Sequence, residues 1–190
     1  MDLNEYKQLA LRTESNPESI TINPAELNYA LGIFITVADM LDAYKKMAFY
    51  GKREKYDKIW HESCQKLQYM TSCSDRHHEI IDDQPLTMNK RIFHGLLGAC
   101  TEAGELAEHL QKGINGHETD PAGIVEELAD IFWYASVISD ETNVPLEQGL
   151  INNINKLSKR YPEGYSDYLA THRNLEAERQ ELENNIVNKS

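Results

Sequence analysis

The run Ile131-Phe-Trp-Tyr-Ala-Ser-Val-Ile138 carries no charge and follows directly on Glu127 and Asp130. On a helix it is apolar nearly all round, so it must be covered on most sides. Acids at the edge of such a helix are costly without a partner. The chain therefore has to fold so that something compensates Glu127 and Asp130. A second pair, Glu102 and Glu105, lies upstream with the same three-residue step. That step puts each pair on one side of a helix, and two facing helices would bring four acids together. Two carboxylates about 5 Å apart repel by roughly 3 kcal/mol at an effective dielectric of about 20. Such a group needs shifted pKa values or a bound cation, and the cation is the stronger reading.

At 190 residues the chain can bury one substantial core or two small units packed into one. A net charge of -12 argues against non-specific nucleic-acid binding, which rests on Lys and Arg neutralising phosphates. The longest charge-free apolar-rich stretch, Leu27 to Ala38, is too short to span a bilayer and meets Asp39. The acidic opening lacks the order of a signal peptide. Three cysteines without a Cys-x-x-Cys read as reduced thiols in a cytoplasmic protein.

Helical periodicity dominates, with no convincing alternating strand, so the fold class is all-α. A first helix covers about Leu3 to Arg12. Asn23-Pro24-Ala25-Glu26 combines an N-cap, Pro at N1 and Glu at N3, opening a helix stopped by Gly51. A helix over roughly Lys55 to Thr71 and a polar loop over Ser72 to Pro85 follow. Thr87 is expected to cap a helix ending at Gly113, and Asp120-Pro121 to start one ending near Asp140. Pro145 opens another that closes before Pro162, and Ser166 or Thr171 begins the last.

Residues 30–46 can be laid on residues 96–112, with Gly32 on Gly98, Asp39 on Glu105 and Lys46 on Lys112. Glu62 then falls on Glu127, after one residue of slippage. The chain reads as a duplicated helical hairpin whose first copy has Thr36, Asp39, Glu62 and Gln65 where the second has four acids. The expected organisation is a degenerate repeat over 1–86, catalytic helices over 87–173, and an acidic helix and tail over 174–190. A degenerate copy would supply core and one wall of a substrate pocket.

Glu102-x-x-Glu105 followed by Glu127-x-x-Asp130 resembles the metal motif of the MazG-like all-α nucleoside triphosphate pyrophosphohydrolases. Gly98, Glu126 to Tyr134, and Asn153-Ile-Asn-Lys156-Leu-Ser-Lys-Arg160-Tyr-Pro162 add to the likeness. Tyr6, Ala10, Arg12-Thr13 and Ala170-Thr-His-Arg173 resemble bacteriophage members, whose setting would be the host cytoplasm. Phe49-Tyr50-Gly51-Lys52 resembles a loop that normally follows the first acid pair, but it sits in the degenerate copy. The resemblance implies a helical bundle in which Glu102, Glu105, Glu127 and Asp130 hold Mg²⁺, with Mn²⁺ able to substitute. It implies cleavage of (d)NTP to (d)NMP and pyrophosphate, and assembly as a homodimer or dimer of dimers. Purine deoxynucleotides such as dGTP or dATP are the expected substrates.

Mg²⁺ takes hard oxygen ligands, so carboxylates plus phosphates suit it. Water could be activated by the metal or by one of the Glu127–Asp130 pair as base. Lys156 and Arg160, one turn apart, are the expected contacts to the leaving phosphates, with Asn153 a turn earlier and Lys112 at the end of the first acid helix. Several other signals are weaker. Cys64, Cys73, His77 and His78 fit no standard zinc spacing. His109 is one step out of register for a di-iron Glu-x-x-His. Trp133 and Tyr134 could stack on a base, but aromatic residues here more often pack in a core. The acidic run Glu176–Glu183 reads as a solvated face or dimer edge. The rival readings are activity on dUTP or phosphoribosyl-ATP, or a helical interaction module whose acids are merely solvated.

Overall fold

Asparagine and aspartate side chains set where the long helices begin. In the computed structural model, which describes residues 1–15, 17–51, 53–72, 83–184 and 186, Asn23 accepts from the backbone N–H groups of Ala25 and Glu26. Helix α2 (Pro24–Tyr50) starts there and ends where Gly51 takes the left-handed conformation at φ 65°. Helix α3 (Arg53–Ser72) returns along it as a hairpin. Helix α1 (Leu3–Ala10), capped by Asp2, runs into a 3₁₀ turn at Leu11–Thr13.

Two-residue strands β1 (Thr21–Ile22) and β2 (Gln84–Pro85) pair antiparallel. They are too short to show alternation, and the class is all-α as expected. One correction concerns Thr87. Helix α4 (Lys90–Ile114) is capped by Asn89, whose carboxamide oxygen accepts from Arg91 and Ile92. Asp120 caps α5 (Pro121–Glu141) as its sequence implies. Helix α6 (Leu146–Arg160) follows Pro145. The end of the chain holds two helices where one was expected: α7 (Asp167–Thr171), capped by Ser166, and α8 (Leu175–Glu183), capped by Asn174.

The chain divides into two compact units, Met1–Pro17 with Met88–Ser190, and Glu18–Thr87. The opening helix thus belongs with the later helices rather than with the first hairpin. In the Glu18–Thr87 unit, Thr36, Ala43 and Ser63 are buried between α2 and α3. Thr36, Asp39 and Glu62 line a polar groove of about 450 Å³ there, together with Asp42, Lys46 and Lys66.

In the other unit, α4 and α5 pack so closely that α4 needs glycines. A Cβ on Gly95 would lie 2.5 Å from Ile138, and one on Gly98 would lie 2.1 Å from the Tyr134 ring. The apolar run of α5 is covered less completely than expected: Val137 is fully buried, but Phe132 is 41% exposed. Residues 1–14 dock along α5. Tyr6 donates to the Ala129 carbonyl, Trp133 Nε1 donates to the Ala10 carbonyl and Thr13, and Lys7 pairs with Asp140. Arg91 ties this segment down, its Nε and Nη2 donating to Glu14 and its Nη1 to Asp140 and Glu141. Those carboxylates push the Arg91 pKa upward, chiefly through Glu14.

Candidate functional site

The α4–α5 hairpin brings Glu102, Glu127 and Asp130 together, with a ligand oxygen from each within 4.8 Å of the others. Helical spacing explains the grouping: Glu127 and Asp130 share a face of α5, and Glu102 faces them from the packed side of α4. Glu102 is buried, and its carboxylate lies 3.3 Å from the hydroxyl of Thr101. Glu127 has its pKa raised, first by burial, then by the charge of Glu105, a hydrogen bond to Glu102 and the charges of Glu102 and Glu126. Tyr134, whose ring fills the space over Gly98, is raised by burial and then by Glu102, Asp130 and Glu105. Desolvation and mutual repulsion therefore act together here, and a cation would relieve both.

Glu105 is the expected site residue that stands outside this group. It is exposed, yet close enough for its charge to act on Glu127. Lys112 is exposed at the end of α4 and pairs loosely with Glu108 at 4.0 Å. Asn153 faces outward on α6, whereas its neighbour Asn152 is fully buried and donates to the carbonyls of Leu182 and Asn184. Lys156 is half-buried with no ion-pair partner among the described residues. Arg160 lies elsewhere in function: both arms of its fork engage Glu178 on α8, and Arg173 donates to the same carboxylate at 2.6 Å. Its Nε and Nη2 are thereby committed to Glu178 within the chain. Glu178 is buried, and these two guanidinium groups hold its pKa down to about 2.

Trp133 is likewise committed, through its bonds to the first helical segment. Cys64 is an exposed free thiol, and Cys73, His77, His78 and Lys52 lie outside the described residues. A cavity of about 670 Å³ borders Tyr6, Ala129, Phe132 and Glu147. Ala129 points about 200° round α5 from Glu127, so this cavity is not the carboxylate site. One neighbour of the acids that spacing passed over is His109, whose Nε2 lies 4.0 Å from Glu127 Oε1.

Residues 95–165 match the family model described as the MazG nucleotide pyrophosphohydrolase domain. That segment is similar to a MazG domain. It contains all four expected acids, Lys112, and the Asn153, Lys156 and Arg160 positions. Comparison with curated proteins and with solved structures gives no match. The likeness is to a nucleotide pyrophosphohydrolase domain, a class that typically depends on divalent metal, and the acidic group here has a donor set that would suit one. Among the described residues, no helix is long and apolar enough to cross a membrane.

Proposed function

We propose that this protein is a Mg²⁺-dependent nucleoside triphosphate pyrophosphohydrolase, converting (d)NTP and water to (d)NMP and pyrophosphate. The convergence of Glu102, Glu127 and Asp130 within a segment similar to a MazG domain carries the reading. An all-carboxylate donor set suits a hard cation, Mg²⁺ or Mn²⁺, rather than zinc. Once bound, the ion supplies charge compensation for the phosphate oxygens and the leaving pyrophosphate. Glu105, beside the group, is the fourth acid of the same site. Glu127 is the carboxylate we assign to take the proton of the attacking water, because its neighbours make it the readier base.

Lys156, with no ion-pair partner among the described residues, is the side chain we assign to the phosphates, with Asn153 a turn before it and Lys112 at the end of α4. The first hairpin is read as a degenerate copy: its groove residues Thr36, Asp39 and Glu62 fall where Glu102, Glu105 and Glu127 fall in α4–α5. The setting is nucleotide-pool control in a cytoplasm, that of the host if the protein is phage-encoded.

Leu96, Leu110 and Ile114 on α4, and Val125, Leu128 and Phe132 on α5, are exposed. On α4 they continue through Ala103 and Ala107 at heptad-like spacing. A face of this kind suits a second copy of the chain, giving a homodimer or dimer of dimers.

The test is a panel of common (d)NTPs with Mg²⁺, dGTP and dATP first and dUTP and phosphoribosyl-ATP included, read for pyrophosphate. Wild-type protein turns over at least one of them. Glu127→Gln and Asp130→Asn each cost about 100-fold or more, while the helical circular-dichroism signal persists. Full turnover in both variants would remove the site assignment.

A further inference from the structure

His109 rests on the metal-site reading above and extends it. It lies seven residues, two helical turns, beyond Glu102 on α4, so the two share the face turned to α5. Its side chain is 15% exposed, that of Glu127 12%, and their Nε2–Oε1 separation is 4.0 Å. The imidazole is pressed onto the first turn of α5. A Cβ added at Gly123 would meet His109 Cε1 at 2.6 Å, Asp120 Oδ2 at 2.8 Å and His109 Nε2 at 2.9 Å. Only glycine lets the ring come this close to the helix. Gly123 in turn is one helical turn before Glu127, so the ring is held at the carboxylate by the very helix that carries it.

Carboxylates that ligate metals are oriented by the polar partners around them; the 4.0 Å gap here is ion-pair reach, longer than a direct hydrogen bond. We infer that His109 is a positioning residue, which keeps Glu127 in the orientation that groups it with Glu102 and Asp130. The alternative is a histidine that merely fills space between α4 and α5. The two differ in what a substitution must preserve. Leucine at 109 keeps most of the bulk and no donor. Glutamine keeps a donor of similar reach.

The experiment titrates Mn²⁺ into substrate-free, full-length protein, with free ion read by electron paramagnetic resonance. The melting temperature of each metal-free variant is measured alongside. His109→Leu is expected to weaken Mn²⁺ binding about 10–100-fold. His109→Gln stays within about threefold of wild type on the same argument, and both metal-free proteins melt alike. Should His109→Leu fail to fold, His109→Asn, too short to reach Glu127, takes its place with the same expected loss. Wild-type affinity in the leucine variant, or equal losses with leucine and glutamine, would overturn the positioning role while leaving the metal site in place. No Mn²⁺ binding by wild-type protein would instead overturn the metal-site reading, and this inference with it.

Discussion

Glu178 shows how much a single buried carboxylate can carry when two cations close on it. Its pKa falls from an ordinary 4.5 to about 2, through Arg160 first and then Arg173. A folded-state value below the unfolded one gives stability that is present above about pH 4.5 and is lost as pH falls toward 2. Glu178→Gln removes the negative charge and one of the two acceptor oxygens facing two guanidinium groups, one of them largely buried. The expected cost is on the order of 3 kcal/mol, a fall in melting temperature of roughly 10 °C. The same variant should also flatten the acid limb of the melting profile between pH 4.5 and 2. A profile that superposes on wild type would show that the cluster contributes nothing. None of this was legible from sequence. Periodicity places Arg160 on a helix face but cannot say that Glu178, on a later helix, will engage its Nε and Nη2. The acid group was legible, because Glu127 and Asp130 precede an apolar run and Glu102 repeats their spacing. Glu105 shows the limit of spacing, since a three-residue step on α4 covers enough arc for one acid to face α5 and the other to face solvent.

At the level of elements, caps announced themselves and close approaches did not. Asn23-Pro24 and Asp120-Pro121 give an acceptor for the first N–H groups and a residue preset for the first turn, and both helices begin there. Thr87 misled because a second capping residue, Asn89, follows two positions on and wins. The glycines of α4 carry a different kind of information. Gly95 and Gly98 form a notch into which α5 presents Ile138 and Tyr134. Gly98→Ala would drive a methyl into the Tyr134 ring, and overpacking of this sort costs about 1–3 kcal/mol. Because Tyr134 stands beside the acids, the variant should also weaken divalent-metal binding. Urea melts with and without Mn²⁺ measure both effects, and an alanine variant as stable as wild type would refute the notch. From sequence alone a helical glycine reads only as a weak point; its partner on the facing helix gives it meaning.

Across the whole molecule, the apolar stripe on α4 and α5 is the feature that a lone chain leaves unexplained. Leu110 is 59% exposed and Ile114 76% exposed on a helix whose other side is packed. Leu110→Lys is expected to shift sedimentation from a species of at least twice the 21.8 kDa chain mass toward the single chain. The acid group lies on a different face of α4, so metal binding by the variant should persist. A wild-type protein that sediments as a monomer would remove the second copy from the account. The central claim concerns chemistry, and ³¹P nuclear magnetic resonance of a dNTP incubated with protein and Mg²⁺ tests it most directly. The account predicts paired growth of a monophosphate and a pyrophosphate signal, abolished by chelator. A diphosphate with inorganic phosphate, or a triphosphate spectrum unchanged across the whole substrate panel, would contradict it.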